Sequence, residues 1–175
     1  IIPFVDNWQH WGGVAEYAAF RGKPSTAFWT DEQLIADFEQ TIRFVVGRRN
    51  TLTGELYRDD EAILAWETGN ELVNPWSWTA RIAAFIKSLD PRHPLIDGIH
   101  ANELRPEALA DSNIDIVSTH HYTPPEVMLA EIERNIRMAE GVKPYFVGEF
   151  GFIPTADVER VLALASKYLQ HRRVA

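Results

Sequence analysis

Residues 63–71 read Ile63-Leu64-Ala65-Trp66-Glu67-Thr68-Gly69-Asn70-Glu71. Four apolar residues in a row are too few for a helix and fit a short strand buried on both faces, with Glu67 still inside it. The polar residues that follow place an amide and a carboxylate at the strand's end. Upstream, Leu34, Ile35, Phe38, Ile42, Val45 and Val46 share one helical face, so the spacing predicts a helix over 31–48, with Thr30 and Gln33 as a capping box. Downstream, the same alternation recurs. Ile82, Phe85, Ile86 and Leu89 mark a helix closed by Asp90-Pro91, and a strand at 94–97 follows. A short helix near 106–110, a strand at 114–119, and a helix bearing Met128, Leu129, Ile132, Ile136 and Ala139 come next, the last ended by Gly141. A strand at 145–147 then leads to a helix with Val158, Val161, Leu162, Ala165 and Leu169 on its inner face. The chain opens on a further strand-like run, Ile1-Ile2-Pro3-Phe4-Val5.

Strands alternating with helices, the strands nearly all apolar, give an α/β fold with a parallel sheet covered by helices. Residues 1–175 form one domain, since no repeat, low-complexity tract or linker divides them. The phosphate-binding glycine motifs of doubly wound sheets are missing from the sequence, and polar residues gather after strand ends: Asp6-Asn7-Trp8, Asn70-Glu71, His120-His121-Tyr122 and Glu149. Both features favour a (β/α)8 TIM barrel, which builds its active site at that face. The 175 residues correspond to five β/α units, whereas eight units take about 250 residues. An open sheet of five strands would have two unpaired edges, so self-association through those edges is an expectation for a truncated chain.

Composition narrows the partners. Seventeen basic residues stand against 25 acidic ones, for a net charge of −8, and the basic residues occur singly or in doublets. That balance argues against a nucleic-acid partner. No apolar run approaches the ~20 residues of a membrane span, and no basic segment followed by an apolar one opens the chain. The absence of cysteine removes disulfides, thiol catalysis and zinc-thiolate sites. His120 and His121 lack a metal-ligand spacing such as H-E-x-x-H, so no metal is expected.

Two carboxylates remain at strand ends, Glu71 and Glu149, the second within Gly148-Glu149-Phe150-Gly151. Either one alone is an ordinary solvated or helix-capping group. Together they match the pair a retaining glycosidase needs at one face, about 5 to 5.5 Å apart. The order Asn50-Thr51-Leu52-Thr53-Gly54 with Tyr57 and Asp59-Asp60, then Trp66-Glu67, Asn70-Glu71, His120-His121-Tyr122 and Gly148-Glu149-Phe150-Gly151 resembles glycoside hydrolase family 5. Its endo-β-1,4-mannanases are the closest likeness.

The resemblance implies specific roles. Glu71 looks like the acid/base and Glu149 like the nucleophile, so Glu149 has to be ionised while Glu71 holds a proton near neutral pH. Asn70 would hydrogen-bond a sugar 2-hydroxyl, Tyr122 would orient the nucleophile, and His120 would line the site. No cofactor enters. The implied substrate is a β-1,4-linked polysaccharide or oligosaccharide, mannan first; a cellulase or β-glucanase activity and a non-catalytic carbohydrate-binding barrel fragment are the alternatives. An extracellular or periplasmic location is implied by the family only. Trp8 and Trp11 after the first strand, and Trp76 and Trp78 after Glu71, are equally suited to stacking on sugar rings and to packing loops, and Trp8 and Trp76 are taken as substrate-binding candidates. Two departures stand out. Leu72 replaces the proline that usually follows Asn-Glu, and the chain aligns with the third to seventh strands of the barrel, without the family's arginine from the second strand or tryptophan from the eighth.

Overall fold

The computed structural model describes residues 1–8 and 13–151, together with Glu159, Leu162, Ala163 and Ser166. Trp11 and most of the helix expected after residue 157 lie outside the described residues. Five strands are described: β1 (Ile2–Pro3), β2 (Trp66–Glu67), β3 (Leu95–Ile96), β4 (Val117–His121) and β5 (Tyr145–Phe150). Between them come helices α1 (Val14–Ala19), α2 (Glu32–Val46), α3 (Trp76–Leu89), α4 (Pro106–Ala110) and α5 (Pro125–Ala139).

The strands pair in parallel as β1-β2-β3 and β4-β5, and a parallel bridge from Ile96 to Ile116 joins the two sets. Spatial order therefore follows chain order throughout. A doubly wound sheet reverses direction at its switch point, whereas a barrel winds one way, and this sheet is an arc of a (β/α)8 barrel. β1 to β3 are only two residues long because their ends continue as single rungs, Asp6 with Asn70 and Leu72 with Ile99.

Register assigns the two faces. Trp66, Leu95, Val117 and Tyr145 belong to one buried apolar cluster with Phe38, Ile42, Trp78, Ile82 and Ile86 of the helices. Trp66 stacks on Phe4 with ring centroids 5.4 Å apart, and its indole donates to Asp90 at 2.8 Å. Glu67, Ile96, Ile116 and Ser118 alternate with these residues and face the barrel interior.

Four local expectations are corrected. The cap of α2 is Asp31, whose carboxylate accepts from the Gln33 and Leu34 amides at 3.1 Å each, not Thr30. Asp31 directly precedes the first helical residue, so its carboxylate meets the amides two and three positions on, as a cap requires. The strand expected from residue 63 begins at Trp66, because the Ile63 amide is taken by the Asp60 carbonyl in a turn. β4 runs two residues further than expected, so His120 and His121 lie within it. Trp76 and Trp78 are on α3, which starts directly after Pro75; Trp78 is buried in the core and Trp76 packs against it.

Candidate active site

A cavity of about 600 Å³ opens at the carboxyl ends of the strands, lined by Asp6, Trp8, Asn70, Glu71, His100, Tyr122 and Glu149. Each of these residues lies at or just beyond the end of a strand, and Tyr122 follows β4 directly.

Glu71 is turned into the cavity by its backbone, which has φ = +54°. Among the described residues it is the sole non-glycine in that left-handed region, a conformation of order 1 kcal/mol or more that persists only where the surroundings hold it. The holding is done on both sides. The Asn70 amide donates to the Val5 carbonyl at 2.7 Å, and the Leu72 amide donates to the Gly98 carbonyl at 2.9 Å. A proline at position 72 has no N–H for that second bond, so leucine clamps the turn by a rung that proline cannot make.

Glu149 reaches the same cavity by a different device. The register of β4 with β5 runs Thr119 to Val147 and then His120 to Glu149, which leaves Gly148 as the extra residue of a bulge. Without that bulge Gly148 would pair with His120 and Glu149 would face the helices; the bulge re-aims the carboxylate into the interior. The residue there has to be glycine, since a Cβ would stand 2.7 Å from the His120 ring.

The carboxylates meet around His120. One oxygen of Glu71, one of Glu149 and a ring nitrogen of His120 all lie within 4.8 Å of one another. His120 Nδ1 is 3.0 Å from Glu71 Oε1 and 3.7 Å from Glu149 Oε2. His100 Nδ1 approaches the same Glu71 oxygen at 3.1 Å, and the Trp8 indole donates to the other, Oε2, at 2.8 Å. Tyr122 donates its hydroxyl to Glu149 Oε2 at 2.5 Å. Asn70 lies beside Glu71 and donates to Asp6 Oδ2 at 3.0 Å.

The electrostatics differ from the sequence expectation in one respect. Burial pushes Glu71 up, but the bonds from His120 and Trp8 and the charges of the two histidines outweigh it, and its carboxyl rests below its ordinary value. In the free site Glu71 is therefore ionised rather than holding a proton near neutral pH. Glu67, beneath the cavity, goes the other way: burial, and then the charges of Asp97 and Glu149, push it up to about 8. The phenol of Tyr122 is pushed up to about 12, first by the bond to Glu149, so it remains a donor.

Of the residues singled out from sequence, the structure brings together Glu71, Glu149, His120, Tyr122, Asn70 and Trp8. Trp76 is not among the residues lining this cavity; as the first residue of α3 it packs, partly buried, against the apolar core. His100 and Asp6 were missed as site residues. The signal for both was their place just past an apolar run, the same rule that picked out Asn70 and Glu71. Glu71, His120 and Glu149 have donor atoms close enough to hold a cation, the one such group among the described residues. Among these residues no helix is long and apolar enough to cross a membrane.

Comparison with known proteins bears on this site as a whole. Residues 1–152 match the family model for GH family 5 beta-mannosidase-like proteins. Mannan endo-1,4-beta-mannosidase F of Aspergillus clavatus is 37% identical over 105 residues, which cover 56% of the chain and 22% of that protein. Mannan endo-1,4-beta-mannosidase 7 of rice, Oryza sativa subsp. japonica, is 29% identical over 82% of the chain and 44% of its own length. Among solved structures, the endo-beta-1,4-mannanase from Thermotoga petrophila superimposes with a TM-score of 0.76 at 26% identity, covering 87% of the chain and 42% of that protein. The chain thus spans less than half the length of each of these relatives.

Proposed function

The chain belongs to glycoside hydrolase family 5, and from that membership we propose that its cavity is the catalytic centre of a retaining hydrolase of β-1,4-linked mannan, with Glu149 as nucleophile and Glu71 as acid/base. The observation that carries this reading is the approach of the Glu71 and Glu149 carboxylates to within 4.8 Å at two strand ends of one cavity. That separation leaves no room for a water between carboxylate and anomeric carbon, which an inverting pair needs at roughly 6.5–9.5 Å.

In the first step an oxygen of Glu149 bonds to the anomeric carbon as the glycosidic bond breaks, and the leaving oxygen takes the proton of Glu71. In the second, Glu71 takes a proton from water, whose oxygen displaces Glu149 and restores the carboxylate. Tyr122 fixes the attacking carboxylate through its hydroxyl. Since Glu71 is held ionised in the free site, it acts as an acid only once the donors around it are weakened by the arriving sugar. Asn70, steered by Asp6, is placed to meet the sugar's 2-hydroxyl. The mannan preference follows the relatives, whose names specify mannan endo-1,4-beta-mannosidase activity.

The test is the anomeric outcome in the intact protein. Proton NMR of mannohexaose hydrolysis is expected to show the β-anomer of the product first. Azide added to Glu71→Ala is expected to yield a β-glycosyl azide, and added to Glu149→Ala an α-glycosyl azide. Initial release of the α-anomer, or undiminished turnover in either variant, overturns the assignment.

A further inference from the structure

Trp8 is half-exposed at the rim of the cavity, and its indole is turned inward rather than left as a free platform. Its backbone N–H is bonded to Asp6 Oδ1 at 2.6 Å, and the other oxygen of Asp6 takes the Asn70 amide. Asp6 therefore sets the positions of Trp8 and Asn70 together. The carboxylate of Glu71 is divided between two kinds of donor: imidazoles of His120 and His100 on Oε1, and the Trp8 indole on Oε2. The histidines come from β4 and from the turn after β3. The indole and the His100 ring are both exposed at the rim, where a sugar would enter, but the indole alone bonds Oε2.

We propose that Trp8 is a positioning residue: its indole N–H occupies Oε2 of Glu71 in the free site and gives that oxygen up when a glycosidic oxygen arrives, so that Glu71 gains its proton only in the occupied site. The inference rests on the reading of Glu71 as acid/base. An N–H donor favours the charged form of a carboxyl, so losing it raises the affinity of Glu71 for a proton. The remaining groups around Glu71 are left in the sequence when the indole is altered: His120 from β4, Tyr122 after β4, His100 after β3, Glu149 from β5, Asp6 after β1, and Glu67 on β2. The direction of the titration also fits, since Trp8 is among the causes that hold Glu71 down.

Trp8→Phe keeps a flat ring and removes the donor. The alkaline limb of kcat/KM reports the free protein and is expected to move up by about one pH unit, whereas the alkaline limb of kcat reports the occupied site and is expected to stay. A sugar-stacking or packing role alone moves neither limb. An unchanged kcat/KM limb overturns the proposal, and so does an equal movement of both limbs, which would mean the bond persists under the substrate. A measurement independent of turnover is the ¹³C shift of the Glu71 carboxyl against pH in the intact protein, with and without Trp8→Phe. A midpoint that rises in the variant supports the proposal and one that does not overturns it, even if Glu71→Gln were to retain activity and the acid/base reading failed separately.

Discussion

His120 and His121 are adjacent on β4, each is bonded to a glutamate, and they face opposite sides of the sheet. On the helix side His121 Nδ1 meets Glu131 Oε2 at 3.1 Å, and Thr123 donates to the same oxygen at 2.9 Å. Asn102 donates to the other Glu131 oxygen, and Thr119 links His121 Nε2 at 2.8 Å to the hydroxyl of Tyr145. Burial pushes the His121 imidazole down, so it is neutral, and one consistent proton order runs from Tyr145 through Thr119 and His121 to Glu131. Each polar group named there has a partner, and Thr119, His121, Glu131 and Tyr145 are buried. On the cavity side the Glu71 donors come from three separate chain segments, Glu149 is part-exposed, and the two carboxylates face each other. The same pair of residue types serves as a staple where its bonds are complete, and as a reactive group where they are divided and open to a ligand.

The difference is broken most severely from the cavity side. Glu149→Gln is expected to lower kcat/KM by about 10⁴-fold, roughly 5.5 kcal/mol of transition-state stabilisation at 1.36 kcal/mol per decade. Its folding stability should be unchanged or higher, because one of two facing carboxylates is gone. Glu131→Ala should do the reverse. It strips the acceptor from Asn102, His121 and Thr123 at once and is expected to cost about 3–5 kcal/mol of folding stability in urea melts. If instead Glu131→Ala lost turnover at unchanged stability, the division of labour between the two faces would be wrong.

A smaller effect tests the crowding of negative charge on the cavity side. The carboxyl of Glu67, ordinarily near 4.5, is pushed up to about 8 in the folded protein. Between those two values the folded state keeps a proton that the unfolded state has lost. Stability therefore falls as pH rises across that window and levels off above it. Glu67→Gln is expected to flatten this slope and to gain roughly 3 kcal/mol at pH 8 over the parent protein. Asp97, buried two residues beyond Leu95, is likewise pushed up by burial, to about 6, and both raised carboxyls remain when Glu131 is altered, so the same melts on Glu131→Gln should keep the slope of the parent protein.

Much of this arrangement was legible in the chain, for reasons that differ by element. The apolar face of α2 follows from a helical period, and Leu34, Ile35, Phe38, Ile42 and Val46 are all buried as that period requires. Glu71 and Glu149 were visible because a polar residue directly after a buried run has few roles. Three features were not. The φ of Glu71 depends on rungs from Val5 and Gly98, each more than 20 residues away. The bulge at Gly148 depends on the register of a neighbouring strand, and alternation alone puts Glu149 on the wrong face. Trp76 was assigned to the cleft by nearness to Glu71 in sequence, although Trp78, Thr79, Ile82, Ala83 and Ile86 form one buried helical stripe that begins beside it. The opposition of His120 and His121 follows from strand alternation, but only once β4 is known to extend through both.

The mildest change separates orientation from presence. The ring of Tyr122 lies over Gly151, where a Cβ would stand 2.7 Å from it, and its hydroxyl donates to Glu149 at 2.5 Å. Tyr122→Phe keeps the ring in that seat and removes one hydrogen bond to a charged group, an interaction of about 1.5–3 kcal/mol. If the bond aims Glu149 at the anomeric carbon, kcat should fall by roughly 10- to 100-fold while KM and the melting temperature stay as they were. Gly151→Ala displaces the ring instead of the hydroxyl and should reproduce the loss in kcat. A fall in melting temperature with Tyr122→Phe would place the tyrosine with His121 and Glu131 among the staples, because a hydroxyl that serves only the carboxylate facing the substrate has no part in holding β4 to its helix.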